Sequence, residues 1–132
     1  MSNSDVLDLV QIPLFVGLNH RQLSRLRGLT SRVQTADEAL VIRQGTVGRE
    51  FVVLVKGNAS VVRNAETVAI LSDGDFFGEM AMLSGAPRNS SVIVEAGSDL
   101  LVSNPDEFRQ ILEELPVVAE RLGAIAIQRL AG

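Results

Sequence analysis

FFGEMAMLSGAPRNSSVIV, residues 76–94, is the stretch that decides how the chain folds. Gly78 is followed at once by a carboxylate, Glu79, and then by a short apolar run, residues 80–83, with helical character. Ser84, Gly85, Ala86 and Pro87 turn the chain, and Arg88 follows. Polar Asn89, Ser90 and Ser91 then lead into an alternating strand through Val92 and Val94. Physically this is a helical turn between two strands, with an acid at its start and an arginine just past its end. The free N–H groups of a helix start favour an anion. An arginine fork grips phosphate or carboxylate through paired, charge-assisted bonds. A carboxylate beside such a site repels the anion, so Glu79 needs another task, such as accepting bonds from sugar hydroxyls. A small ligand carrying both a phosphate and a ribose satisfies both residues.

FGEMAMLSGAPRNSSV resembles the phosphate-binding cassette of cyclic nucleotide-binding domains, a family that includes bacterial catabolite activators and protein kinase A regulatory subunits. Its pattern runs F-G-E-[LM]-A-L, then P-R-x-A-x-V. The resemblance implies that Glu79 contacts the ribose 2′-hydroxyl, that Arg88 binds the phosphate, and that Gly78 admits the ligand to the backbone. Met80, Ala81, Asn89 and Ser90 complete the implied ligand set. One position departs: the family usually has alanine where this chain has Ser90. In the family, threonine or serine after the arginine often accompanies guanine preference; Asn89 in that place leans the reading toward cyclic AMP, with cyclic GMP as the other candidate. Absent any ligand, the pair Glu79 and Arg88 reads as a surface ion pair across a turn.

The 132 residues fit one domain, large enough to bury a core without staples. There is no cysteine, which excludes disulfides and thiolate metal sites, and a single histidine, His20, which excludes a histidine-cluster metal site. His20 reads as a solvated or capping residue. No cofactor is expected. A net charge of −4 argues against a dedicated nucleic-acid surface. The first ten residues lack the features of a signal peptide, and no apolar run approaches the roughly eighteen residues of a membrane span, so the expected location is cytoplasmic.

Outside the cassette the period of the apolar residues changes twice. Residues 4–10 and a segment capped by Asn19 and running to Leu29 carry helical stripes. Between residues 31 and 104 the period falls to two, with strands expected at 31–35, 40–43, 51–56, 59–63, 68–71, 91–95 and 100–103, punctuated by Gly45, Gly48, Gly57, Asn64 and Gly74. Residues 51–55 are continuously apolar and should form the most buried strand. Many short strands with glycine turns give a jelly roll, a sandwich or a barrel. The resemblance selects a mainly β, jelly-roll-like β-roll with N-terminal helices and C-terminal hinge and lid helices. It also places Gly45 and Gly57 in tight turns flanking a central strand. The chain then reads as one domain: a helical segment 1–30, a roll 31–104 with its cassette at 76–92, and helices 105–131.

Asn104, Pro105 and Glu107 form a helix start; Pro116 interrupts the helix, and a second runs over 117–130. Leu115, Val118, Leu122 and Ile125 form a stripe. The resemblance implies a helix drawn over the ligand, with Leu122 and Ile125 against the purine and Arg129 reaching back toward Glu79. In the catabolite-activator branch this helix continues into a DNA-reading motif; positions that would meet the purine there fall at or beyond residue 132, so the chain is either a self-standing sensor or a piece of a longer protein. The leading function is a regulatory, non-catalytic cyclic-nucleotide sensor, with no nucleic-acid or membrane contact and with a homodimer or an effector reached through the last helix. Three others stand beside it: a non-binding interaction module using the 118/122/125 stripe, a cupin-like enzyme, which lacks the histidines it needs, and a receptor for another anionic metabolite at Arg88.

Overall fold

The computed structural model describes residues 8–47 and 49–131, with side chains through residue 126. Eight strands form two antiparallel four-stranded sheets: β1 (Ser31–Gln34), β2 (Ala39–Ile42), β3 (Phe51–Lys56), β4 (Ala59–Arg63), β5 (Glu66–Leu71), β6 (Phe76–Phe77), β7 (Ser91–Val94) and β8 (Asp99–Ser103). One sheet runs β1-β8-β3-β6, the other β2-β7-β4-β5. A 3-10 turn (Pro13–Phe15) and helix α1 (His20–Gly28) precede them; α2 (Glu79–Ser84) lies inside the roll, and α3 (Pro105–Glu114) and α4 (Pro116–Ala131) follow.

The continuous apolar run in β3 has a packing cause. Val52 and Leu54 face the interior of the roll with Ile42, Phe77, Val92, Val94 and Leu100. Phe51 and Val53 face the helices, with Leu26, Phe108, Ile111 and Leu122. Both faces of the strand are covered, so no polar residue alternates in. Phe51 also packs its ring on Phe76 and Phe108, at centroid distances of 5.9 and 4.8 Å. The domain therefore has three layers: helices, the β3-containing sheet, and the second sheet. The outer face of that second sheet carries a row of facing residues, Leu40, Ile93, Ser60 and Ile70. Leu40 and Ile70 are 49% and 64% exposed.

Both helix starts are capping boxes. Asn19 and Gln22 exchange bonds at the head of α1, and Asn104 and Glu107 at the head of α3. His20 is the exposed first residue of α1. Leu115 ends α3, and Pro116 opens α4 instead of sitting between two helices, a position its missing N–H tolerates. Residues 8–10 are turn, and the rest of the helix expected at 4–10 falls outside the described residues. Two strand expectations change. Residues 76–77 form β6, which pairs with β3 through Val52 and Val53. β5 starts at Glu66, because a two-residue turn, Asn64–Ala65, joins it tightly to β4. Both turn residues have left-handed φ, 52° and 67°, as a type I′ hairpin requires.

Candidate anion-binding site

The site is built where β6 gives way to α2. Gly78 adopts φ 94°, turning the chain from strand into helix. A Cβ here would collide with the Glu50 carbonyl oxygen and sit 2.9 Å from Arg88 Nη1. The glycine is thus required by the arginine packed over it as well as by its backbone angle. The helix ends at Gly85, also left-handed at φ 72°, whose N–H donates to Ala81 O at 2.8 Å. Pro87 then bridges to Val47, and the chain returns beside the loop that precedes β3.

Arg88 is fixed at both ends. Its backbone N–H donates to Thr46 O and its carbonyl accepts from Gly45 N–H, each at 2.7 Å. Its guanidinium donates from Nη1 to Gly78 O at 2.8 Å and from Nη2 to Glu50 O at 2.7 Å. These carbonyl bonds satisfy two of the five guanidinium N–H groups, and the others have no hydrogen-bond partner among the described residues. The side chain is buried, with the half-exposed Glu50 carboxylate 3.9 Å away. Burial lowers the Arg88 pKa from its ordinary value, and the Glu50 charge opposes that; the group stays cationic at neutral pH. A buried cation held by neutral carbonyls, with a carboxylate only at its margin, is suited to receive an anion.

Glu79 is fully buried, at 0% exposure, and Arg88 is 6% exposed, so the two do not form a surface ion pair with each other. Ala81 and Ser90 are buried, Met80 is half-buried and Asn89 is exposed. The Ser90 hydroxyl, absent from the usual alanine, accepts a bond from Arg63 Nε at 3.2 Å. Glu50 was not singled out from the sequence. It acts through its main-chain carbonyl, which leaves no residue-type signature. The candidate lid residues are packed into the core: Leu122 is 0% exposed in the cluster that holds Leu9, Ile12, Leu14, Phe15 and Phe76, and Ile125 and Met82 pack against that cluster. The side chain of Arg129 lies outside the described residues.

Fold and site together define a β-roll domain that carries a buried arginine beside its inner helix. Residues 32–115 match the sequence profile of the cyclic nucleotide-binding domain. The chain is 33% identical over 90 residues to the mouse potassium/sodium hyperpolarization-activated cyclic nucleotide-gated channel 2, covering 68% of this chain and 10% of the channel. It is 33% identical over 122 residues to a cyclic nucleotide-gated potassium channel of Rhizobium etli, covering 92% of this chain and 34% of that protein. The chain thus spans 10% and 34% of these two curated relatives. The crystal structure of the Thermus thermophilus catabolite activator protein superposes with a TM-score of 0.80 at 26% identity, covering 90% of this chain and 58% of that one. The chain belongs to the cyclic nucleotide-binding domain family.

Proposed function

We propose that this domain is a non-catalytic sensor that binds a cyclic mononucleotide, cyclic AMP in the first instance, at Gly78, Glu79, Met80, Ala81, Arg88, Asn89 and Ser90. The observation that carries the reading is the buried Arg88 guanidinium, tied to two main-chain carbonyls with donors to spare. A cyclic phosphodiester brings one negative charge and two exocyclic oxygens, which match the single charge and paired donors of one guanidinium. Buried Glu79, at the start of α2 and next to Gly78, supplies the acceptor for a ribose hydroxyl. Occupancy would reach a homodimer partner or an effector through α4, with Leu122, Ile125 and Arg129 brought to the ligand if α4 exchanges its core packing for contacts with it.

Titration calorimetry with cyclic AMP and cyclic GMP tests this. Cyclic AMP should bind more tightly. Arg88→Ala should weaken it by at least about tenfold, since losing one partner of a charge-assisted bond costs about 1.5–3 kcal/mol. Arg88→Lys should restore affinity in part, because a point charge lacks the fork. Equal affinity of the wild type and Arg88→Ala removes the assignment; tighter cyclic GMP binding reverses the base preference. Among the described residues no helix is long and apolar enough to cross a membrane.

A further inference from the structure

The three residues after Arg88 are strapped down by a part of the chain that the cassette sequence does not contain. Arg63, the last residue of β4, donates from Nε to Asn89 O and to Ser90 Oγ, each at 3.2 Å. The next residue, Ser91, accepts through Oγ from the backbone N–H of Gln44 at 2.9 Å. Gln44 is in turn joined to the hairpin tip by two bonds, Nε2 to Asn64 Oδ1 at 2.9 Å and Asn64 N to Oε1 at 3.0 Å. The β4–β5 hairpin and the loop after β2 therefore close over the tail of the cassette.

We propose that Arg63 is a positioning residue of the anion site, fixing the path of Asn89 and Ser90 and, through them, the placement of Arg88. The inference rests on the cyclic-nucleotide reading of that site. A trans peptide directs its N–H opposite its C=O. Holding the Asn89 carbonyl on Arg63 thus sets the N–H of Ser90 on the side away from Arg63. Ser90 is 6% exposed, and its hydroxyl gives Arg63 a second acceptor on the same limb. The serine that departs from the family pattern and the arginine at the hairpin end form one device. Arg63 is itself exposed, and among the described residues its side-chain hydrogen bonds go to these two residues, so its loss should loosen the cassette without opening the core.

The test is a double-mutant cycle read by titration calorimetry with cyclic AMP, alongside thermal melting of each unliganded variant. Arg63→Ala should weaken binding roughly threefold to tenfold, the value of a hydrogen bond or two, with the melting midpoint of the free protein unchanged. Arg63→Lys keeps the charge but loses Nε, and should bind as weakly as Arg63→Ala. Ser90→Ala should cost less than Arg63→Ala, and the double variant should bind no more weakly than Arg63→Ala alone. Arg63→Gln repeats the measurement should the alanine variant fail to fold. Wild-type affinity in Arg63→Ala, full rescue by Arg63→Lys, or losses that multiply in the double variant would each overturn the inference while leaving the Arg88 reading intact. A wild-type protein that binds neither cyclic nucleotide overturns both.

Discussion

Replacing Gly78 by alanine puts a methyl group against the Glu50 carbonyl and 2.9 Å from Arg88 Nη1. The backbone at φ 94° adds strain that a side chain rarely accepts. Gly78→Ala should cost about 1–3 kcal/mol of stability in urea denaturation and should weaken cyclic-nucleotide binding through a displaced Arg88. A variant as stable as the wild type would show that the loop yields easily and that Gly78 does not fix the arginine. Glu79 makes a different prediction. In wild type, 2′-deoxy cyclic AMP should bind more weakly than cyclic AMP, by about the 1.5–3 kcal/mol of a bond to a charged acceptor. Glu79→Gln should narrow that gap in calorimetry; undiminished discrimination makes Glu79 structural. These residues were legible in the sequence because glycine, carboxylate and guanidinium each have a distinctive chemistry. Glu50 and Arg63 were not: one works through a carbonyl that every residue has, and the other meets the cassette from a hairpin far away in sequence.

Among the elements, α1 and α3 are joined by a forked pair. Arg25 donates from Nε and Nη2 to the two carboxylate oxygens of Glu114, at 2.7 and 2.8 Å, and from Nη2 to Gln110 at 3.2 Å. Its hydrogen bond holds the Glu114 pKa below its ordinary value. A depressed folded-state pKa contributes stability above the unfolded value and loses it as pH falls through the folded one. The stability difference between wild type and Glu114→Gln should therefore be small, present at neutral pH, and gone in acid below the usual glutamate range, as followed by urea midpoints across pH. Exposure of both side chains keeps the effect modest. Helix starts were readable because a capping box is a local pattern. β6 was not, because two residues carry no periodicity, and its pairing with β3 is what makes it a strand. The start of β5 was missed for a related reason: Glu66 and Thr67 lie exposed, so burial left no apolar mark on them.

For the molecule as a whole, the position of α4 matters most. Val118 and Leu122 are fully buried among N-terminal residues, and Arg121 Nη1 donates to Pro13 O and Leu14 O at 3.3 and 3.0 Å. For Leu122 to cover a purine, these contacts would have to be exchanged for contacts with the ligand, and the ligand must favour the new position for any shift to occur. Hydrogen exchange should show added protection on cyclic AMP binding in residues 117–130 and 76–92, with little change in β3. Protection confined to 76–92 would make α4 a fixed wall. The layered roll was legible because the cassette match fixed its middle; the docking of α4 was not, since one apolar stripe serves equally for a lid, a core or a partner helix. The second sheet carries a consequence of another kind. Among the described residues β5 ends its sheet with one side unpaired, and its Val68 and Ile70 are 50% and 64% exposed. Main-chain groups along such a margin template the addition of further strands, and apolar side chains strengthen the tendency. Concentrated preparations of this domain should aggregate through β5, and Ile70→Lys should raise the concentration at which light scattering still finds dispersed particles, with nucleotide affinity unchanged.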